Sequence, residues 1–339
     1  MSGFDAASCV LSDAIAAHAF PAASAEVGAS DGILWQQALG RLTFTENSPP
    51  TSIHTPFDLA SLTKVMATAT GIMQLVHDGL LRLDEPVSAF FDDWRGQDRE
   101  SVTVRDLLEH SSGLAARLVD PPGEGRREFE HDICTMKLEY EPRSRSIYSD
   151  LGFILLGFIA ADHECLNPAD SEVTFTPGPD LRRLAAPTIA LDEDVRRGET
   201  LVGEVHDNYA AALGGVAGHA GLFGSSPAVG RFARTMLRAA RGDSVLPPPF
   251  SPDLVRLFTT KSRVAGSSRA LGWDTMLPTS SCGTRMSRLA FGHVGFTGTS
   301  LWIDPERDRY FVLLTNRVCG GGTIDQMRDV RRAFHDALG

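Results

Sequence analysis

The chain has 339 residues, of which 42% are apolar and 8% aromatic, so it can bury the core of one large domain or of two lobes. Its formal net charge of −11 argues against a nucleic-acid partner, because no basic stripe is visible in the sequence. No apolar run approaches the roughly 18 residues that a membrane-spanning helix needs, so we expect no membrane partner.

Cysteine content and the first residues bear on the compartment. The five cysteines are odd in number and none has the spacing of metal ligands, which is typical of reduced structural thiols. The first residues lack a basic region followed by an apolar run, so no signal peptide is predicted. We therefore expect a cytoplasmic protein, or a periplasmic or secreted one if a leader has been removed.

Hydrophobic periodicity and turn residues predict the secondary structure in chain order. The predicted elements of the first half are a short helix at 13–19, strands at 25–27 and 33–44, and helices at 61–77, 104–110 and 150–161. The second half is predicted to have an irregular segment at 165–200, a helix at 228–241, strands at 271–276, 299–303 and 310–315, and an amphipathic helix at 324–338.

Strand-like segments thus lie at both ends of the chain, with a long helical stretch between them. The fold class predicted is α/β (α+β): one antiparallel sheet built from the N- and C-terminal segments, flanked by helices. A mostly helical lobe would be inserted into this single domain. The sheet lobe would comprise about 1–60 and 265–339 and the helical lobe about 61–264, with the functional site in the cleft between them.

The segment Ser61-Leu-Thr-Lys64 is the strongest chemical signal in the chain. Only three lysines are present, so a lysine three residues after a given serine is a coincidence of roughly 1% at this composition. On a helix beginning at Ser61, residues three apart share a face, which would place Lys64 beside the Ser61 hydroxyl. A buried lysine that shares its proton would activate this serine as a nucleophile, and the helix N-terminus would favour a developing oxyanion.

Five motifs in order resemble those of the class C β-lactamase family of serine hydrolases, with its β-lactamase/transpeptidase-like fold. They are Phe57-Asp-Leu-Ala-Ser-Leu-Thr-Lys64, Val102-Thr-Val-Arg-Asp-Leu-Leu-Glu-His-Ser-Ser-Gly-Leu114, Tyr148-Ser-Asp150, the glycine-rich run 212–224 and Phe291-Gly-His-Val-Gly295. Each motif is weak by itself, but their common order over nearly the whole chain is specific.

The resemblance implies a role for each motif. Ser61 would be the acylated nucleophile, Lys64 would accept or relay its proton, and Tyr148 would act as partner base and then as acid. The backbone N–H groups of Ser61 and Phe296 would form the oxyanion hole. No metal or organic cofactor is implied, and the expected partner is a small-molecule substrate. We expect His110 to be structural.

Two positions depart from the family pattern. Asp150 stands where many relatives have Asn, and it could hold Lys64 by charge, which would raise the lysine pKa and weaken it as a free base. His293 and Val294 replace the Lys and Thr of the Lys-Thr-Gly triplet, leaving Gly295. The loss of the ammonium and the hydroxyl argues against an efficient β-lactamase or D-Ala-D-Ala carboxypeptidase. His293 would serve substrate binding or pKa control, and Asp150 and Gly295 are also expected to be substrate-binding residues.

A further segment, Gly203-Glu-Val-His-Asp-Asn208, resembles a branch with N-acetylmuramyl-L-alanine amidases of cell-wall recycling and penicillin-binding-protein-4B-like proteins. This likeness implies that Glu204, His206, Asp207 and His219 line the substrate side of the cleft. Loop residues bonded to the backbone are an alternative, and so is a metal site formed by the two histidines and Asp207, although we expect no metal.

The sequence therefore predicts a serine hydrolase that acts through an acyl-enzyme on an amide or ester bond. The substrate expected first is the amide between a muramyl lactyl group and L-alanine, in peptidoglycan recycling. A broad carboxylesterase is one alternative, and a weak β-lactamase or penicillin-binding sensor is another.

Overall fold

The computed structural model describes residues 2–119, 123, 125–168 and 170–339. Within this part of the chain the strands are β1 (Ala22–Gly28), β2 (Ile33–Gly40), β3 (Phe57–Asp58), β4 (Thr188–Ile189), β5 (Thr200–Leu201), β6 (Phe223–Gly224), β7 (Asp274–Thr275), β8 (Phe291–Val294), β9 (Ser300–Asp304) and β10 (Arg309–Thr315). The α-helices are α1 (Gly3–Ala16), α2 (Thr70–His77), α3 (Val104–Leu108), α4 (Arg126–Thr135), α5 (Asp150–Asp162), α6 (Pro179–Leu184), α7 (Asn208–Ala212), α8 (Ser226–Ala240), α9 (Pro252–Thr259) and α10 (Ile324–Leu338).

The main sheet of the described chain joins the two ends of the sequence. Its six strands are antiparallel and run in the order β2-β1-β10-β9-β8-β7. The N-terminal hairpin pairs with the last strand in a register that sets Ala23 opposite Thr315 and Gly28 opposite Tyr310. The predicted closure of the fold, with N- and C-terminal segments in one antiparallel sheet, is confirmed.

Alternation along β10 divides the core between the two faces of this sheet, as the period of two in a strand requires. Leu313 packs with residues of α1 and α10 on one face. Val312 and Leu314 face the other way and belong to the large core that contains α8 and the helical part of the chain. The sheet is therefore covered on both faces, and the helical part lies on the α8 side.

Helix α5 is the centre of the helical part. Every residue from Leu151 to Ala160 is buried, so this helix is apolar on all sides, as a fully enclosed helix is expected to be. Its middle contacts the glycine-rich segment without intervening side chains: a Cβ atom at Gly157 would lie 2.5 Å from the Cα atom of Gly218. This backbone contact holds the segment that precedes β6 against the helix.

Some predicted boundaries are wrong. Helix α1 begins at Gly3 rather than at residue 13, because Ser2 and Asp5 form a capping box that starts it earlier. The second strand ends at Gly40, where φ is +78°, and not at residue 44. The segment 165–200, expected to be irregular, contains α6, β4 and the first residue of β5. Helix α10 has the predicted bounds.

No helix of the described residues combines the length and the apolar character that crossing a membrane requires.

Gly157→Ala is expected to destabilise the protein by about 1–3 kcal/mol, because the new methyl group would overlap the Gly218 backbone, which cannot rotate away. Gly152→Ala in the same helix is the matched control. Its Cβ would find its nearest neighbours at 3.6 Å, an ordinary contact. Urea unfolding of both variants checks the prediction, and equal stability of the two would contradict it.

Candidate active site

A strained turn presents the Ser61 side chain. The chain leaves β3, which pairs with β6, and enters a 3-10 turn at Ala60–Leu62. Ala60 has φ +47°, a left-handed conformation that is costly for a residue with a Cβ atom. The buried carboxylate of Asp58 fixes this turn, accepting hydrogen bonds from the N–H of Ala60 at 2.8 Å and of His206 at 2.7 Å.

The segment 61–77, predicted as one helix, is helical, but only its second half is an α-helix. A π-helical segment, Lys64–Ala69, follows the 3-10 turn, and α-helix begins only at Thr70. The Thr70 hydroxyl donates to the Val65 carbonyl at 2.8 Å, which satisfies an oxygen in the widened turn. Single π turns are often found at functional sites, and sequence periodicity does not reveal them.

The Lys64 side chain is completely buried, and its ammonium has three hydrogen-bond acceptors. Nζ lies 3.0 Å from the Ser61 hydroxyl oxygen, 2.8 Å from Asp150 Oδ1 and 3.0 Å from the carbonyl oxygen of His219. An ammonium has three N–H donors, so all of them are used. The Ser–Lys contact predicted from the sequence is present, together with the ion pair to Asp150 that the sequence allowed.

This ion pair keeps Lys64 charged. Burial by itself would lower the pKa of Lys64, but the negative charge of Asp150 and the Tyr148 phenol outweigh it, so the pKa lies above its ordinary value. Lys64 is therefore an ammonium at neutral pH. The hypothesis that Asp150 holds Lys64 by charge and weakens it as a free base agrees with this geometry. The hypothesis that Lys64 is a neutral base does not agree with it.

Asp150 connects Lys64 to a second buried pair through Arg117. Arg117 Nη1 donates to Asp150 Oδ2 and to Asp207 Oδ2, both at 3.0 Å, and its guanidinium carbon lies 3.9 Å from the centroid of the Tyr209 ring. Asp207 also contacts His219 Nε2 at 2.7 Å. Burial would raise the pKa of Asp207, but its interactions with His219 and Arg117 hold the pKa well below the usual range. Opposite charges thus alternate across the site.

Tyr148 immediately precedes the N-cap residue of α5 and is half-buried among cationic and aromatic groups. Its ring centroid lies 4.9 Å from Lys64 Nζ and 4.9 Å from the guanidinium carbon of Arg269. The rings of His110 and His293 are 4.7 and 5.9 Å away. His110 Nδ1 accepts the N–H of Ser149 at 3.0 Å, so His110 supports the backbone beside Tyr148, consistent with the structural role expected for it.

His293 is neutral and has a fixed tautomer. Its Nδ1 lies 2.9 Å from the Val294 carbonyl, which can only accept, so Nδ1 carries the proton and Nε2 is a lone-pair acceptor. That Nε2 is buried and has no partner among the described residues. Burial, and then the charges of Arg269 and Lys64, lower its pKa well below the usual value. His293 therefore supplies an acceptor and not the positive charge of the lysine that it replaces.

Two cavities meet at Ser61, Tyr148 and Phe296. The first, of about 300 Å³, is called here the acidic cavity. Its other lining residues are Ala60, Ala116, Arg117, Asp150, Leu191, Glu193, Asp194, His206, Asp207, Asn208, His219 and Ala220. The second, of about 360 Å³, is called the arginine cavity. Its other lining residues are Arg269, His293, Val294, Gly295, Arg317, Ile324, Met327 and Arg331.

The Phe296 ring forms the partition between these cavities. The Phe296 ring stacks on the His206 ring, with 5.6 Å between the ring centroids. The guanidinium carbon of Arg317 lies 4.6 Å from the Phe296 ring centroid. His206 itself is fixed by its Nε2, 3.1 Å from the Ile189 carbonyl. Burial lowers the pKa of His206, so it too is neutral at pH 7.

Most residues singled out from the sequence converge on this place, although their chemical roles stay predictions. The ones that line or contact the two cavities are Ser61, Lys64, Tyr148, Asp150, His206, Asp207, His219, His293, Gly295 and Phe296. Glu204 does not belong to them: it is half-exposed in an ion pair with Arg182. Among the described residues no group of three or more His, Cys, Asp or Glu side chains is placed to hold a metal ion.

Sequence reasoning missed five residues of the site: Asp58, Arg117, Arg269, Arg317 and Arg331. Asp58 lies inside a motif that was recognised, and an Asp two residues before a turn is a known signal for a side-chain cap of the backbone. No local signal distinguishes the four arginines from the many others in the chain.

Comparison with known proteins gives a consistent result. The family model described as Beta-lactamase matches residues 10–333. The "Putative D-alanyl-D-alanine carboxypeptidase" of Escherichia coli (strain K12) is 31% identical over 306 residues, which covers 78% of this chain and 69% of that protein. Its namesake in Salmonella agona (strain SL483) is 30% identical over 307 residues, with 78% and 70% covered.

Solved structures with similar folds cover almost the whole chain. EstCE1, a hydrolase with promiscuous acyltransferase activity, superposes with a TM-score of 0.78 at 17% identity, covering 99% of this chain and 98% of that one. A β-lactamase/D-alanine carboxypeptidase from Pseudomonas syringae has a TM-score of 0.78 at 15% identity, covering 98% of each chain. A class C β-lactamase from Rhodobacter sphaeroides has a TM-score of 0.75 at 18% identity, also covering 98% of each. At these identities the likeness shows the fold alone.

The buried carboxyl of Asp58 is expected to make stability depend on pH. Burial raises its pKa from 3.8 to about 6, against the lowering effect of the two N–H donors. A carboxyl with a higher pKa in the folded state stabilises the protein fully below the unfolded-state pKa, and this contribution is lost as the pH rises through about 6. The stability advantage of wild type over Asp58→Asn should therefore fall by about 2 kcal/mol between about pH 4 and about pH 7.

Urea unfolding of both proteins across this pH range tests the expectation. A wild-type advantage that stays constant, or that grows with pH, would contradict it.

Asp150→Asn is expected to destabilise the protein by about 3 kcal/mol at neutral pH, because removal of one partner leaves the buried Lys64 ammonium without a counter-charge. The amide would also turn one acceptor oxygen into a donor facing Arg117. Asp84→Asn is the control, because its pair with Arg82 is exposed and should leave unfolding unchanged. If both variants unfold like wild type in urea, Asp150 does not hold the site together.

Proposed function

Because the chain belongs to the β-lactamase family of serine hydrolases, we propose that it cleaves an amide bond through an acyl-enzyme on Ser61. The proposed substrate is the amide between the lactyl group of N-acetylmuramic acid and L-alanine in cell-wall muropeptides. The observation that carries the proposal is the meeting of two cavities of different charge at Ser61, one acidic and one lined by arginines.

In acylation, Lys64 donates to the Ser61 oxygen, so the serine proton must leave toward another group. Tyr148, the partner base that the family resemblance implies, is the remaining group at the mouth of both cavities that can take it. The Ser61 oxygen then bonds to the lactyl carbonyl carbon, and Tyr148 returns the proton to the amide nitrogen as the C–N bond breaks. Water attack on the ester, with Tyr148 again as base, releases N-acetylmuramic acid and regenerates Ser61.

Lys64 acts in this scheme as a fixed positive charge. Its three hydrogen bonds hold the Ser61 oxygen in place, and its charge stabilises the negative charge that develops on that oxygen. A permanent ammonium performs this role without any change of its own protonation state.

The backbone supplies donors for the carbonyl oxygen. The first hydrogen bond of the 3-10 turn runs from Leu62 N–H to the Leu59 carbonyl, so the N–H of Ser61 precedes the bonded part of the turn. The Gly295 N–H is used by the Thr299 carbonyl at 2.8 Å, and the next N–H along the chain is that of Phe296. Both residues lie where the cavities meet, which supports an oxyanion hole of these two N–H groups.

The acidic cavity suits the acyl part of the proposed substrate. In the amide, the N-acetylmuramyl group has no free carboxylate, because its only carboxyl carbon forms the bond that is cut. It offers hydroxyl and acetamido groups, which can donate hydrogen bonds to the Glu193 carboxylate and accept one from the amide nitrogen of Asn208, whose oxygen is used by Arg117. Such a neutral polar group adds no charge to a cavity whose Asp150, Asp194 and Asp207 carboxylates are already paired with cations.

The arginine cavity suits the leaving peptide, which carries free carboxylates. Arg317 and Arg331 bond only to backbone carbonyls and have no carboxylate partner in the part of the chain that the structure describes. Arg331 Nε is buried without a partner, and burial, followed by the charge of Arg317, lowers the pKa of Arg331 to about 9. An anion in this cavity would give the Arg331 guanidinium a hydrogen-bond acceptor and would compensate the positive charges of Arg317 and Arg331.

A broad carboxylesterase is the second candidate. The neutral ring of His293 and the aliphatic Val294 replace two polar groups, and Ile324 and Met327 give the arginine cavity an apolar wall. An apolar alcohol could leave through this wall without any anionic contact.

Ser61→Ala is expected to lower the hydrolysis of muramyl dipeptide at least about a thousandfold while the fold is retained, because the nucleophile is lost. Release of N-acetylmuramic acid is measured for wild type, for Ser61→Ala and for the exposed-serine control Ser171→Ala, which should equal wild type. Circular dichroism checks that all three are folded.

Parallel assays separate the candidates. Ser61-dependent cleavage of p-nitrophenyl acetate with intact muramyl dipeptide would favour the carboxylesterase. Ser61-dependent release of D-alanine from a peptide ending in D-alanyl-D-alanine, with intact muramyl dipeptide, would overturn the proposed bond.

A further inference from the structure

We propose that Arg331 is a positioning residue of the oxyanion hole: through the Gly295 carbonyl it orients and polarises the peptide group whose N–H belongs to Phe296. This inference rests on the proposed acyl-enzyme chemistry at Ser61, but not on the identity of the substrate. It assigns a function to a buried cation that belongs to none of the motifs in the sequence.

The peptide group between Gly295 and Phe296 has different partners at its two ends. Its carbonyl oxygen accepts hydrogen bonds from Arg331 Nη2 at 2.7 Å and from the Gly298 N–H at 3.1 Å. Its N–H has no acceptor among the described residues, and Phe296 lines both cavities together with Ser61. In a planar trans peptide the C=O and the N–H point in opposite directions. By fixing the carbonyl, Arg331 therefore fixes the direction of the Phe296 N–H, which points away from the guanidinium.

Arg331 connects the two ends of the turn that contains this peptide. The same Nη2 atom donates to the Thr299 carbonyl oxygen at 2.9 Å, and that oxygen also accepts the Gly295 N–H at 2.8 Å. The Arg331 side chain comes from α10 and is buried, so water does not compete for these carbonyls. The Gly295–Phe296 peptide cannot rotate without breaking a hydrogen bond to a buried charge, which is costly.

The turn is also bonded to the segment that precedes the nucleophile. The Thr297 hydroxyl donates to the Asp58 carbonyl at 2.8 Å, and the Thr299 hydroxyl donates to the Leu59 carbonyl at 3.0 Å. The two N–H groups proposed for the oxyanion hole are thus carried by one hydrogen-bonded unit, and Arg331 holds the side of this unit that faces α10.

Arg317 holds the next carbonyl in the same way. Its Nε donates to the Phe296 carbonyl oxygen at 3.0 Å, and its Nη2 donates to the same oxygen. The peptide groups before and after the Phe296 Cα atom are therefore each fixed by a guanidinium. Both torsions of Phe296 are restrained, and its N–H keeps one direction.

The charge of Arg331 also makes the Phe296 N–H a stronger donor. Hydrogen bonds from an ionised donor are stronger than neutral ones, and hydrogen bonds that share a peptide group polarise one another. A guanidinium on the carbonyl oxygen therefore increases the positive charge at the amide hydrogen. That hydrogen would face the negative charge that develops on the substrate carbonyl oxygen, where preorganised dipoles have their largest effect on rate.

A competing role for Arg331 is direct binding of a substrate carboxylate, since it lines the arginine cavity. The two roles differ in a measurable way. A residue that binds a carboxylate changes KM for anionic substrates and leaves a neutral ester unaffected. A residue that orients an oxyanion donor lowers kcat and kcat/KM together for every substrate, because the interaction is made in the transition state.

The test compares Arg331→Met and Arg331→Lys with wild type on p-nitrophenyl acetate, a neutral ester, and on muramyl dipeptide. Loss of a whole oxyanion donor costs roughly 10²–10³ in kcat, so loss of its orientation in Arg331→Met should lower kcat roughly ten- to a hundredfold on both substrates, with nearly unchanged KM. Arg331→Lys should recover part of this loss, because an ammonium can still donate to the Gly295 carbonyl. Arg328→Met, at an exposed arginine of the same helix, should match wild type.

A second control separates positioning from general stability. Phe334 is buried one turn further along α10, in the core between α1 and α10. Phe334→Leu should lower the urea midpoint but keep the wild-type kcat at temperatures where circular dichroism shows it folded. If Arg331→Met does not fold, Arg331→Gln replaces it, with the same expected loss of kcat.

A wild-type kcat in the folded Arg331→Met or Arg331→Gln protein would overturn the proposal. A higher KM for muramyl dipeptide, with unchanged kinetics on the ester, would overturn it in favour of carboxylate binding. An equal loss of kcat in Phe334→Leu would overturn it in favour of a general structural role. Absence of muramyl dipeptide hydrolysis by wild type would contradict the proposed substrate, and the ester kinetics would still decide the role of Arg331.

Discussion

The completely buried ammonium of Lys64 is the constraint on which the rest of this site depends. A charge without water must find a counter-charge and an acceptor for each N–H, and here Asp150, the His219 carbonyl and the Ser61 hydroxyl provide them. The carbonyl is within reach because Gly218 lets the glycine-rich segment lie directly on α5. Asp150 is in position because it is the first residue of that same helix. The packing of α5 against the glycines therefore also sets the electrostatic environment of Lys64 and Ser61.

The two sides of the site have different electrostatic environments, because Asp150 pairs with Lys64 on one side only. Toward the acidic cavity, charges of opposite sign alternate from Lys64 through Asp150, Arg117 and Asp207, so they stabilise one another and bind few outside ions. Toward the arginine cavity, the cations have carbonyl oxygens as partners and no carboxylates within the described chain. The first side offers hydrogen bonds to a neutral polar group, and the second attracts an anion. Ser61 lies between them.

The sequence predicted the skeleton of this molecule well. The last helix, the strands at both chain ends and their closure into one antiparallel sheet followed from periodicity and order, because these are local patterns that burial then reinforces. The Ser61–Lys64 contact followed from a spacing of three, which brings side chains together in 3-10 turns as well as in α-helices. The π-helical segment after it was not predictable, because all six of its residues are buried, so there is no alternation of buried and exposed positions from which a helical period could be read.

What the sequence by itself determined is the antiparallel sheet and the local motifs that contain the candidate catalytic residues Ser61, Lys64 and Tyr148, and membership of the family follows from those motifs. The tertiary structure alone decided the charge state of the site. Whether Lys64 is a base or a permanent cation depends on Asp150, 86 positions away in the chain, and the environment of Tyr148 depends on Arg269. The physical reason is that electrostatic interactions act through space between groups that folding brings together, and no periodicity along the chain records which arginine will meet which tyrosine.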